Sequence, residues 1–240
     1  MKNVASGGVK WVDVAPGRFP GWIATFAVRH GDPVTVLPPA GPGDAVVTFR
    51  APDGVAAQCH PPFAEWFRWP AAPDLASADP AELAAVVAAH AAAPRNVGVL
   101  LVRLGGYAAG VFAGYPPALV DSKTGSRLVH GRSAAGGWSQ QRFARRREKQ
   151  ASEAVRAAAD TAVSVFGRWS GAGRGRALDA VVLGGDKRTA AELRDDPRLA
   201  PYLALATERF ITVPDPRRAV LEGTPAQFTA VRVKLSEPSS

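Results

Sequence analysis

Val97-Gly98-Val99-Leu100-Leu101-Val102 is an unbroken apolar run closed by Arg103, and the fold is read outward from it. A run of this length between turn residues reads as a strand buried on both faces. Pro94 and Asn96 precede it, and Leu104-Gly105-Gly106-Tyr107 follows as a turn. The Gly-Gly pair signals a tight hairpin into a second strand, Ala108-Ala109-Gly110-Val111-Phe112-Ala113. Residues 118–121 and 126–131 continue a meander. A glycine-containing loop, 132–139, then leads to a long helix expected from Ser139 to Arg168. Leu178 to Gly184 reads as a buried strand, with a helix beginning near Lys187. Further strands are expected at 208–213 and 228–235. Strands first, then helix and strand in alternation, predict an α+β domain of mixed α/β layers over residues 96–236.

The first 95 residues form a separate β-rich region with one helix. Residues 1–20 read as a loose lead-in. Trp22-Ile23-Ala24-Thr25-Phe26-Ala27-Val28-Arg29 is rich in aromatic and β-branched residues and is expected as a strand. Residues 34–37 and 45–50 are expected as two more, with a Pro52-Asp53-Gly54 turn after them. Together they predict a small antiparallel sheet. Trp66, Phe67 and Trp69 form an aromatic cluster that reads as core packing, with a base-stacking platform as the alternative. Asp79-Pro80-Ala81-Glu82 opens a helix, with Asp79 as cap and Pro80 at the first helical position. That helix should run to residue 90 or 93, where Pro94 stops it, leaving His90 on the surface.

Composition narrows the function. The 240 residues carry 29 Lys and Arg against 21 Asp and Glu, a formal charge of +8. A balance this basic favours an acidic partner such as nucleic acid or a ribosome. One cysteine, Cys59, excludes an internal disulfide framework and a Cys-rich zinc site, and fits a reducing, cytoplasmic setting. The first residues have no apolar stretch of signal-peptide length, and no window approaches a membrane span. High Ala and a preference for Arg over Lys fit a GC-rich bacterial genome.

The charge is concentrated. Between Asp121 and Lys149 stand Lys123, Arg127, Arg132, Arg142, Arg145, Arg146, Arg147 and Lys149, opposed only by Asp121 and Glu148, a net of +6 in 29 residues. Arg142, Arg145, Arg146 and Lys149 are spaced i, i+3, i+4, i+7 and share one helix face. Arg156 extends that face about four turns beyond Arg142. Val155, Ala159, Ala162, Val163 and Phe166 form an apolar stripe on the same helix, so its C-terminal half is expected to be anchored in a core. Like charges at i, i+4 repel one another, which favours a phosphate-binding face over a merely solvated one.

Ala135-Gly136-Gly137-Trp138-Ser139-Gln140-Gln141-Arg142-Phe143-Ala144-Arg145-Arg146-Arg147-Glu148 carries a family resemblance. It resembles the catalytic loop and following helix of eukaryotic and archaeal peptide-chain release factors, where Gly-Gly-Gln is followed by Ser and an Arg-Phe-x-Arg-x-Arg helix. The matching positions are Gly136, Gly137, Ser139, Arg142, Phe143, Arg145 and Arg147. Trp138 stands where those factors have Gln, which argues against an ordinary stop-codon release factor. Gly137-Trp138-Ser139-Gln140 instead has the Gly-x-x-Gln form of the Vms-type release-factor-like proteins of ribosome quality control. Trp138, Arg132 and the Arg-rich helix resemble the actinobacterial-type members of that group. The resemblance covers residues 96–235 and includes no codon-reading domain. It implies a peptidyl-tRNA hydrolase acting on stalled large ribosomal subunits, monomeric, with no membrane partner and no cofactor. Gly136, Gly137, Ser139 and Gln140 would be catalytic. Arg132, Trp138, Arg142, Arg145, Arg146, Arg147 and Lys149 would hold RNA.

The residues suit that chemistry. Ester hydrolysis on tRNA needs a placed water and donors for the developing oxyanion, and no nucleophilic side chain. Paired glycines let the backbone approach the substrate closely, and a neutral glutamine both donates and accepts, so it orients a water. Two alternatives stay open: cleavage of the tRNA near its 3′ end, and a non-catalytic RNA-binding module, which Trp138 favours. Ser-His-Asp hydrolysis and a Walker loop have no supporting motif. A metal nuclease would need Asp121, His130, Asp179 and Asp186 to converge. Residues 171–176 read as a linker or a basic loop touching RNA.

Overall fold

The computed structural model describes residues 9–37, 39, 41, 44–69, 77–103, 105–126, 139–170 and 177–238, and for 139–151 it describes the backbone. Nine strands are described: β1 (Lys10–Val14), β2 (Thr35–Leu37), β3 (Val47–Arg50), β4 (Ala56–His60), β5 (Arg95–Arg103), β6 (Gly106–Gly114), β7 (Ala118–Ser126), β8 (Ala180–Gly185) and β9 (Val231–Ser236). The α-helices are α1 (Phe19–His30), α2 (Pro80–Ala91), α3 (Ser139–Ser170), α4 (Lys187–Glu192), α5 (Ala200–Leu203), α6 (Arg218–Glu222) and α7 (Pro225–Phe228). This is the expected α+β class with mixed layers. The chain forms two compact units, residues 1–93 with 225–240, and residues 94–224.

The first unit is a five-stranded antiparallel sheet in the order β1-β9-β4-β3-β2, with α1 and α2 on one face. Val36, Phe49, Cys59 and Val233 of the sheet pack against Phe19, Ile23 and Phe26 of α1 and Leu83 and Val87 of α2. Burial pushes the Cys59 thiol pKa up, so it stays protonated. Four expectations change here. Residues 22–29 are helical, because the residues that bury are Phe19, Ile23 and Phe26, an i, i+4, i+7 set. Pro20 sits in the first turn, and Gly31, at φ +98°, follows the last one. The lead-in holds β1, whose Val12 and Val14 alternate with exposed Trp11 and Asp13. The strand expected at 228–235 as the close of the 96–236 domain is β9, and it pairs between β1 and β4 in this sheet. The α2 start is as read: the Asp79 carboxylate accepts from Ala81 N–H at 2.8 Å. His90 is half-buried rather than at the surface, donating from Nε2 to the Pro62 carbonyl at 3.0 Å with its ring 4.8 Å from that of Phe67. Phe67 and Trp69 pack edge to face, in keeping with the packing reading of that cluster.

The second unit is a four-stranded sheet ordered β7-β6-β5-β8, with β8 parallel to β5 and the other pairs antiparallel. The apolar run at 97–102 lies in the interior strand β5 and is buried throughout. The two strands expected at 118–121 and 126–131 are one strand, β7, up to Ser126, and 127–131 fall outside the described residues. Residues 208–213 make no strand. Single bridges link Val181 to Ala206, just before the segment, and Gly184 to Ile211 within it, and isolated bridges do not make a ladder.

Candidate active site and RNA interface

Helix α3 has 32 residues, about 48 Å of helix. Its C-terminal half is fixed to the sheet. Val155, Ala158, Ala159, Ala162, Val165 and Phe166 are buried in one cluster with residues of β5, β6 and β8. The contact is tight at Gly98 of β5, where a Cβ would stand 3.1 Å from the Phe166 ring and 3.0 Å from Leu178. A side chain there would press on Leu178 and Phe166, which would have to give by a few tenths of an ångström. Two charged clasps add to this. Arg168 donates through Nε and Nη2 to both oxygens of Asp121 on β7, at 3.0 and 2.9 Å. The bidentate pair holds the Arg168 pKa above its usual value, chiefly through that hydrogen bond. Near the helix middle, Arg198 pairs with Asp160 at 2.8 Å and with Asp196 at 2.6 Å. The Arg198 hydrogen bond lowers the Asp196 pKa.

The candidate residues stand at the other end of this helix. Its first residue is Ser139, so Gln140 and Gln141 fall in the first turn, where backbone N–H groups lack helical partners. Arg142, Arg145, Arg146, Arg147 and Lys149 follow within the helix. Arg142 and Lys149 are heptad neighbours of Arg156, which is exposed, so their Cα positions continue its stripe. Arg132, Gly136, Gly137 and Trp138 lie outside the described residues, as do residues 171–176.

The carboxylates weighed for a metal centre are occupied elsewhere. Asp121 is held by Arg168. Asp179 accepts from Asn96 N–H at 2.6 Å. Asp186 caps α4, accepting from the Thr189 N–H and hydroxyl at 2.8 Å each, and these bonds lower its pKa. Asp179 and Asp186 flank β8 at opposite ends, about 20 Å apart along an extended strand. Asp121 is on the far edge of the sheet. His130 is outside the described residues, and among the described residues no group of three His, Cys, Asp or Glu could hold a metal ion. Sequence reasoning missed the Arg168–Asp121 clasp. Its signal was an acid at the middle of an edge strand and an arginine at the end of the covering helix, a pairing that only the tertiary fold reveals.

A sequence family described as the Actinobacteria/chloroflexi VLRF1 release factor matches residues 95–234, more than half of the chain. The chain belongs to this family. It is a release-factor-like protein, and the matched region runs from β5 through α3 to β9. No curated protein matches the sequence. Among solved structures, the mitochondrial localization core of Vms1 is similar at 11% identity with a TM-score of 0.38, over 78% of this chain and 75% of that one. An archaeal translation termination factor, aRF1, is similar at 14% identity with a TM-score of 0.38, over 75% of this chain and 51% of that one. Pelota of Archaeoglobus fulgidus follows at 12% identity and a TM-score of 0.25, over 92% of this chain and 62% of that one. The chain thus spans about half the length of the archaeal termination factor. Among the described residues no helix is long and apolar enough to cross a membrane.

Proposed function

We propose that this protein frees nascent chains from peptidyl-tRNA on stalled large ribosomal subunits, by water positioned in a Gly-x-x-Gln loop. The observation that carries the reading is the start of α3 at Ser139 within the region matched to the release-factor family. That start puts Gln140 in the first turn, three residues after Gly137 in the sequence. There the unpartnered N–H groups and the positive end of the dipole favour a developing oxyanion or a phosphate.

In this reading Gln140 holds the attacking water by donating and accepting at once, without acting as a strong base. The glycine pair, Gly136 and Gly137, lets the loop backbone reach the ester carbonyl, and Ser139 opens the helix. Trp138 stacks or anchors at the loop tip. Arg142, Arg145, Arg146, Arg147 and Lys149, with Arg132, hold the acceptor-stem or ribosomal RNA backbone. The anchored half of α3 supplies rigidity, so that the loop is presented from a fixed rod rather than from another loop. The protein works as a cytoplasmic monomer with no cofactor.

The test is release from defined peptidyl-tRNA on purified large subunits, read by gel and by mass of the peptide. A free peptide carboxylate with intact tRNA supports hydrolysis. Nucleotides left on the peptide replace it with cleavage near the tRNA 3′ end. Binding without release makes the protein a non-catalytic module, the reading that Trp138 at the release factors' Gln position favours.

A further inference from the structure

The first unit presents a second surface, independent of α3. Both of its helices pack on one face of the sheet, and the other face carries a different set of residues. Strand alternation fixes which they are, and the register sets them in rows. Asp13, Arg232 and His60 lie side by side across β1, β9 and β4. The next row is Trp11, Lys234, Gln58 and Thr48. Arg50 stands in the third row with Ala56 and Ser236.

Two features of this face call for a ligand. The first is Trp11, 45% exposed on a strand whose inward neighbours are valines. Its ring is held in place: the Arg232 guanidinium lies 4.9 Å from its centre, and the His60 ring meets it at 5.2 Å, tilted 51°. An indole held in orientation and nearly half exposed is a preorganised stacking surface. The second is charge. Arg50, Arg232 and Lys234 face one carboxylate, Asp13, which already pairs with Arg232 at 3.3 Å. Lys234 and Arg50 therefore leave a net of +2 beside an aromatic ring. A folded peptide or an apolar helix would gain little from these cations. A single RNA strand uses both features, its phosphates on the cations and its bases on the ring.

We propose that the open face of the β1-β9-β4-β3-β2 sheet binds single-stranded RNA, with Trp11, braced by Arg232, stacking a base and Lys234 and Arg50 tracking the backbone. From β1 to β3 the face is about 14 Å wide, room for about two or three bases. The inference does not rest on the release reading, since none of these residues belongs to the loop or to α3.

The test uses the full chain carrying R142E, R145E and R146E, so that α3 cannot mask the sheet. Its affinity for a fluorescent 12-nucleotide oligouridine is measured by anisotropy, alongside quenching of tryptophan fluorescence. Trp11→Ala should weaken binding on the order of 10-fold or more and remove part of the quenching, while Trp11→Phe keeps most of the affinity. Lys234→Ala should lower the salt slope by about 0.7, the share of one phosphate on a single strand. Thermal unfolding checks that the variants fold, and Lys234→Ala, which keeps the ring, stands as a second arm if Trp11→Ala does not. The inference is overturned if the α3-reversed chain does not bind the oligonucleotide, or if Trp11→Ala and Lys234→Ala leave binding unchanged. It is also overturned if duplex RNA or a hexaglutamate peptide competes as well as the single strand. Loss of nascent-chain release in Gln140→Ala bears on the other site alone, so the two readings fail separately.

Discussion

Replacing Phe166 by Ala tests whether the C-terminal half of α3 is the rigid mount argued above. Phe166 is 1% exposed and sits at the contact between α3 and β5. Its ring meets Tyr202 edge to face at 5.3 Å and closes over Gly98. Truncating a buried Phe costs about 3–5 kcal/mol, the spread reflecting how far the neighbours collapse into the space. Collapse is restricted here. Gly98 has no side chain to move inward, and α3 is tied to β7 by Arg168 and Asp121. The cost should therefore fall in the upper half of that range, about 4 kcal/mol. It should appear as a drop in melting temperature on the order of 10 °C. Urea unfolding followed by circular dichroism gives the free energy, and amide exchange should place the loss in residues 94–224. Well below the unfolding transition, release should persist, because Phe166 stands 27 residues, about 40 Å, from the helix start. A loss under 1 kcal/mol would refute the reasoning, since it would mean that Phe166 is not the keystone of this contact.

The catalytic reading predicts that Gln140→Ala loses about 10²–10³ in release rate yet still binds large subunits, as expected when a water-positioning or oxyanion group is removed. Gln141→Ala, about 100° further round the helix, should be nearly silent in the same single-turnover assay. Reversing Arg142, Arg145 and Arg146 to Glu should abolish co-sedimentation with large subunits while the circular dichroism spectrum is kept. Parent binding should fall steeply with salt, with a slope of about 0.7–0.9 per phosphate neutralised. Asp186→Ala should cost about 1 kcal/mol at neutral pH as a lost helix cap. The folded-state pKa of Asp186 is lowered, so its contribution is present above the unfolded carboxylate pKa and disappears as pH falls through the folded one. Parent and variant should therefore converge in stability in acid, and a gap that stayed constant there would contradict the assignment.

The sequence was most legible where one element buries one continuous stripe. The run at 97–102 and the alanine-rich stripe of α3 are such cases, because burial on both faces or along one helix face leaves a periodicity that nothing else imitates. Residues 22–29 show how that reading fails. Their β-branched and aromatic content resembles a strand, yet the deciding period begins at Phe19, outside the stretch. Val28, which looks like a core residue, is 86% exposed on the solvent side of α1. His90 was misplaced for a related reason: its partner, the Pro62 carbonyl, lies 28 residues away. In the candidate site, the glycine pair and the arginine spacing are local and could be read directly. The Arg168–Asp121 clasp spans 47 residues and could not.

Strand β9 joins these threads. Its alternation of Val231, Val233 and Leu235 with Arg232, Lys234 and Ser236 identifies a strand but says nothing of the sheet that receives it. The family match runs through residue 234 and so reaches into β9, while the hydrogen bonds of β9 go to β1 and β4. Both edges of β9 are paired there, and its inward valines complete the core beneath α1 and α2. A chain cut at residue 95 would leave β9 with two unpaired edges and a bare apolar face, a combination that folded proteins avoid because open edges recruit other strands. The release-factor-type region therefore depends on the first 93 residues to house its last strand. The same strand carries Arg232 and Lys234 to the open face of that sheet, so the segment that ties the two units together in sequence also supplies the brace of the Trp11 ring and one of the cations proposed to hold RNA.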